Sequence, residues 1–129
     1  MRRHLANVLL ILALAVPAAA ATHTVDQSGI TFTPNDLTIT VGDMVEWVWS
    51  GGSHTVTSGV DAADPDAGDL FDAALSSSNT SFSYTFDTVG DYPYFCRPHV
   101  SLGMTGIVRV QPSVPNESAT WGAVKSLFD

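Results

Sequence analysis

Between residues 24 and 111, short runs of Val, Ile, Thr, Phe, Tyr and Trp are separated by Gly, Pro, Asn and Asp. Such residues suit a pleated, half-buried surface, and the residues between them mark turns. Alternation is clearest at Leu37, Ile39 and Val41 and at Tyr92, Tyr94 and Cys96, the period of two that turns one strand face to a core. Strands are expected near Thr24–Asp26, Ile30–Thr33, Asp36–Val41, Met44–Ser50, His54–Thr57, Ser81–Phe86, Gly90–Cys96 and Thr105–Gln111. Many short strands with frequent turns predict an all-β sandwich of seven to eight strands. Pro93 has no N–H to give to a ladder, which predicts an edge or a bulge at that point. The stretch from Ser58 to Leu75 carries five aspartates and little β-propensity. It is expected to be a long surface connection with one helical turn near Asp69–Ala74.

The first residues do not fit this pattern. Arg2 and Arg3 precede an apolar run from Leu5 to Val16, followed by Pro17 and the alanines 18–21. That order of parts is a secretory signal peptide, expected over residues 1–21, and it predicts a periplasmic or secreted protein. The run is shorter than the roughly 20 residues of a spanning helix. The arginine pair does not separate Sec from twin-arginine export. The domain is then expected over 22–111, followed by a Pro-containing linker and a short tail over 112–129, in which Trp121, Val124 and Phe128 share a helical face. Without the leader, Lys plus Arg falls from 5 to 3 while all 13 Asp and Glu remain, leaving about −10. So acidic a body argues against nucleic acid and anionic membranes as partners. The Asn-x-Ser sequences at Asn79 and Asn116 matter only in a glycosylating host.

Roughly 108 mature residues suffice for a core, yet they hold one cysteine, Cys96. Exported small domains use cysteines in pairs, so a single thiol asks for a chemical account. Two residues separate it from His99 and four separate His99 from Met104, and His54 stands upstream at the start of an expected strand. Thiolate, two imidazoles and a thioether are the ligand set of a mononuclear type 1, blue-copper site. Taken singly, each of these residues has an ordinary structural role to play. Taken together as Cys-x2-His-x4-Met after an aromatic strand, they predict one copper ion on His54, Cys96, His99 and Met104. His54 is expected from the opposite half of the sandwich, and Gly103 and Gly106 are expected to allow tight backbone near the ion.

The chain resembles a cupredoxin, and its Cys96–Met104 loop is similar to those of plastocyanin and pseudoazurin. The resemblance extends through residues 32–43, the strand from Met44 to Trp49, and Gly90-x-Tyr92-x-Tyr94-x-Cys96. It implies a Greek-key sandwich with the metal at one end, and His99 exposing a ring edge through an apolar collar that includes Pro98 and Leu102. Three positions depart from the pattern. Thr55 stands where the family often has Asn, and its shorter side chain is expected to fall short of the ligand loop. Phe95 replaces a surface tyrosine. Arg97 puts a positive charge beside the site, which favours reduced copper and repels a basic partner.

The leading expectation is a monomeric, non-enzymatic carrier of single electrons between redox proteins, with no membrane anchor once the leader is gone. The alternative is copper delivery or buffering in the exported compartment. Copper oxidases and nitrite reductases of this fold use additional copper centres, for which the chain lacks histidines. If cleavage falls between Ala20 and Ala21, the sequence Ala21-Thr22-His23 offers an N-terminal square-planar Cu(II) chelate, though His23 as a plain strand residue is the favoured expectation.

Overall fold

The computed structural model describes residues 19–113; most of the leader and of the tail, including Trp121, Val124 and Phe128, lie outside the described residues. The chain is an all-β sandwich of two sheets. One sheet runs β2 (Thr31–Thr33), β1 (Thr22–Ser28), β4 (Met44–Val48), β7 (Ser81–Thr85); the other runs β3 (Asp36–Thr40), β9 (Thr105–Gln111), β8 (Gly90–Phe95), β5 (His54–Ser58), β6 (Asp72–Leu75). Two pairings, β1 with β4 and β3 with β9, are parallel, and the others are antiparallel.

All eight expected strands form. The ninth, β6, corrects the sequence reading, because Asp72–Leu75 pairs antiparallel with β5 instead of forming a helical turn. Its neighbour Phe71 explains why. The ring is 5 % exposed and meets Trp47, Phe82 and Tyr84 at centroid separations of 5.5, 5.8 and 4.9 Å. An aromatic anchor and an available strand edge override weak local propensity.

The reading of Pro93 also needs amendment. β8 is an interior strand, flanked by β9 and β5. Pro93 accepts the Gly59 N–H at 2.9 Å just where β5 ends at Ser58. A strand residue's N and C=O point to the same side, so the missing N–H faces β5 at its exit, where the ladder stops anyway.

Trp47 is the hub of the core, fully buried and in contact with Tyr94 edge-on at 5.2 Å and stacked with Phe82 at 5.8 Å. Burial pushes the Tyr94 phenol up to about 12. Gly106 serves this core and not the metal end: a Cβ there would lie 2.2 Å from Tyr94 Cζ. On the outer face, Arg109 of β9 binds Asp36 of β3 at 3.0 Å and Asp91 of β8 at 3.3 Å.

Candidate metal centre

At one end of the five-stranded sheet, β8 and β9 form a hairpin whose last pair is Phe95 with Thr105. Residues 96–104 are its loop, and it is closed by its own backbone. The Cys96 N–H donates to the Met104 carbonyl at 3.0 Å, and the His99 N–H donates to the Cys96 carbonyl at 3.2 Å. Val100–Leu102 makes a single 3₁₀ turn that ends on Gly103, whose φ of 86° is left-handed and so suits glycine. The side chain of Met104 is fully buried.

The structure brings His54, Cys96 and His99 together, with one donor atom from each within 4.8 Å of the others. Cys96 Sγ lies 3.6 Å from His54 Nδ1 and 3.5 Å from His99 Nδ1. Bonds of about 2.0–2.3 Å to a first-row ion would space trigonal nitrogen and sulfur donors roughly 3.5–3.8 Å apart, so the three atoms fit a metal with little rearrangement. The donor chemistry fits copper in particular: the thiolate suits Cu(I), and imidazole serves both oxidation states. His54 does not come from the opposite half of the sandwich. It begins β5, which pairs with β8 in the same sheet, so all four candidate residues hang from one sheet and its hairpin loop.

The loop that leads into His54 is held by a connection the sequence did not single out. Fully buried Gln27 accepts the Ser50 N–H at 2.9 Å, and the Ser50 hydroxyl donates to the Gln27 carbonyl. The Trp49 indole donates to the Gly52 carbonyl at 2.9 Å. Gly52 has φ 81°, and a Cβ there would approach His54 Nε2 to 2.8 Å, so only glycine lets the imidazole turn its Nδ1 to the thiol. Burial foremost, then the neighbouring His99, holds the His54 pKa below the ordinary histidine value, over an opposing pull from the Gly51 carbonyl. A ring that resists protonation keeps its lone pair for a metal.

Residues 19–111 match the family of copper binding proteins, plastocyanin/azurin family. The chain belongs to it. It is 38 % identical over 104 residues to the chloroplastic plastocyanin of Tetradesmus obliquus, covering 78 % of this chain and 72 % of that protein. It is 30 % identical over 115 residues to pseudoazurin of Paracoccus pantotrophus, covering 84 % and 77 % respectively. Oxidised plastocyanin from Dryopteris crassirhizoma superposes with a TM-score of 0.56 at 26 % identity, over 68 % of this chain and 99 % of that one. Copper is therefore the metal of this cupredoxin.

The structure corrects two expectations about the departures from the family pattern. Thr55 does reach the ligand loop: its hydroxyl accepts the Arg97 N–H at 2.8 Å, and its own N–H approaches Cys96 Sγ at 3.5 Å. The same hydroxyl meets Thr57 at 2.9 Å, and Thr57 donates to Asp72 at 2.9 Å. Arg97, in turn, is no free positive charge. Its guanidinium binds Asp72 at 2.7 Å, with Nε at 3.2 Å from each carboxylate oxygen. Arg97 foremost holds the Asp72 carboxyl below the usual range. Phe95 is fully buried and offers no surface ring.

Thr55, Thr57, Asp72 and Arg97 thus form a closed ring that ties β5 and β6 to the residue after the thiol. Nothing in the sequence marks Asp72, which is hidden among the other aspartates of an acidic stretch. Thr55→Val is expected to cost about 1 kcal/mol of stability, the worth of an ordinary hydrogen bond. It should also weaken copper binding about 10-fold or more, as loss of an outer-shell partner does. Thr55→Ser, which keeps the hydroxyl, should match the parent in thermal unfolding of the metal-free protein and in chelator competition. Equal copper affinity for the Val variant and the parent would show that the ring has no hold on the site.

Proposed function

We propose that this chain carries single electrons between larger protein redox partners in a periplasmic or secreted compartment, holding one copper ion with His54, Cys96, His99 and Met104. When bound, the ion supplies the Cu(I)/Cu(II) couple. The protein's part is to keep donors in place and water out. Cys96 and Met104 are fully buried and His54 is 5 % exposed, so three of the four side chains are walled off. His99 is half-buried and lines a shallow depression with Ile30, Gly52 and Pro98. Leu102, on the turn that follows, is 63 % exposed.

That depression over His99 carries the reading. It presents a ring edge and an apolar rim to an approaching protein while the sulfur stays covered. Plastocyanins are electron carriers and not enzymes, and the arrangement here supports the same use.

A redox titration of the copper-loaded protein, followed by absorbance, tests the proposal. An intense blue band that bleaches on one-electron reduction and returns on oxidation is expected. A colourless complex that surrenders its copper rapidly and completely to a chelator would identify copper delivery instead.

A further inference from the structure

At the end of β4 remote from the metal centre, the carboxylate of Asp43 is sunk into the turn between β3 and β4, 7 % exposed. It gathers three donors. One oxygen accepts the Ala21 backbone N–H at 2.9 Å; the other lies 2.9 Å from His23 Nε2 and 3.1 Å from the Thr40 N–H. The Ala21 carbonyl accepts the Met44 N–H at 2.9 Å, directly before β1 begins its parallel pairing at Thr22 with Met44. Among the described residues, Ala21 is thus the first that the fold holds by hydrogen bonds. Ala19 and Ala20 are exposed, and neither hydrogen-bonds to another of the described residues.

We propose that the leader is cut between Ala20 and Ala21 and that Asp43 is the built receptor for the α-ammonium this cut creates. The inference rests on the exported reading above, and it moves the boundary one residue towards the N-terminus from the 1–21 leader expected from sequence. Cleavage is a hydrolysis by a small-residue-selective signal peptidase. Water adds across the Ala20–Ala21 peptide bond, Ala20 leaves with the new carboxylate, and the freed Ala21 amine takes up a proton. Ala18 and Ala20 then occupy the two small-residue positions such an enzyme reads.

The chemistry explains why the chain is built this way. Before the cut, Asp43 receives a single neutral N–H from residue 21. Afterwards the same nitrogen, at the same place, is a cation with three N–H groups, so a hydrogen bond to an ionised acceptor becomes an ion pair in which both partners are charged. A cut after Ala21 would remove both the partner of Asp43 and the acceptor of the Met44 N–H. The arrangement also withdraws Ala21 and His23 from the N-terminal Cu(II) chelate, since the amine and the imidazole are both engaged by Asp43.

Two measurements test the inference. Intact mass of the protein recovered from outside the cytoplasm of a host bearing a signal peptidase should give Ala21 as the first residue. A start at Ala19, Ala20 or Thr22 overturns the inference and leaves export standing, whereas an uncut Met1 start defeats both. Independently of export, mature chains through Asp129 beginning at Ala20, Ala21 or Thr22 can be compared by thermal unfolding, each with Asp43 and with Asp43→Asn. The chain beginning at Ala21 should unfold roughly 4–8 °C above the other two, and Asp43→Asn should abolish its lead over the chain beginning at Ala20, which keeps the Ala21 carbonyl. Equal midpoints for the Ala20 and Ala21 chains, or a lead over the Ala20 chain that survives Asp43→Asn, would overturn the role given to Asp43.

Discussion

Cys96→Ser should yield a folded protein that has lost the intense visible band and holds Cu(I) at least about 100-fold more weakly. Loss of an outer-shell partner alone costs roughly 10–100-fold in metal affinity, and this substitution removes the soft donor at the centre of the set. The fold should tolerate it. Sγ is fully buried, with imidazole nitrogens at 3.6 and 3.5 Å that a hydroxyl can hydrogen-bond in its place. The metal-free variant should therefore unfold within about 1 kcal/mol of the parent. Chelator competition and circular dichroism on one preparation separate the two effects. Undiminished Cu(I) retention by a folded serine variant would remove Cys96 from the ligand set.

Trp47→Ala is expected to have the largest effect on stability, about 3–5 kcal/mol for a buried tryptophan. A small domain has about 5–15 kcal/mol in total, so the unfolding midpoint should fall by at least roughly 12 °C. The damage should spread along one path. Trp47 packs on Phe71, and Phe71 with Leu70 is held by the Ser58 hydroxyl, which accepts both N–H groups at 3.2 and 3.1 Å. Loosening Phe71 should free the acidic connection and speed hydrogen exchange at Leu70 and Phe71 ahead of residues in β9. A midpoint change below about 4 °C would mean the sheets are held together elsewhere.

The candidate ligands stood out in sequence because their chemistry is concentrated: a lone thiol followed at close spacing by an imidazole and a thioether has few other uses. The strands were legible where β-branched and aromatic residues alternate. β6 was not, because Asp72-Ala73-Ala74-Leu75 has no such residue and owes its conformation to the exposed edge of β5. The placement of His54 failed for another reason. Sheet membership depends on which strands cross over between sheets, and alternation within a strand says nothing of that. Thr55 was judged by the length of its own side chain, whereas Thr57 and Asp72 complete the span to Arg97.

The hairpin loop from Cys96 to Met104 begins and ends on the same rung, Phe95 opposite Thr105, and is sealed by the bond from the Cys96 N–H to the Met104 carbonyl. What lies above that seal can grow or shrink without asking the sandwich to move, since β8 and β9 remain in register below it. Three of the four proposed ligands therefore belong to an interchangeable insert, and the fourth waits on fixed ground in β5. Divergence in tuning among proteins built this way can proceed by exchanging one short stretch of chain while the supporting body stays as it is.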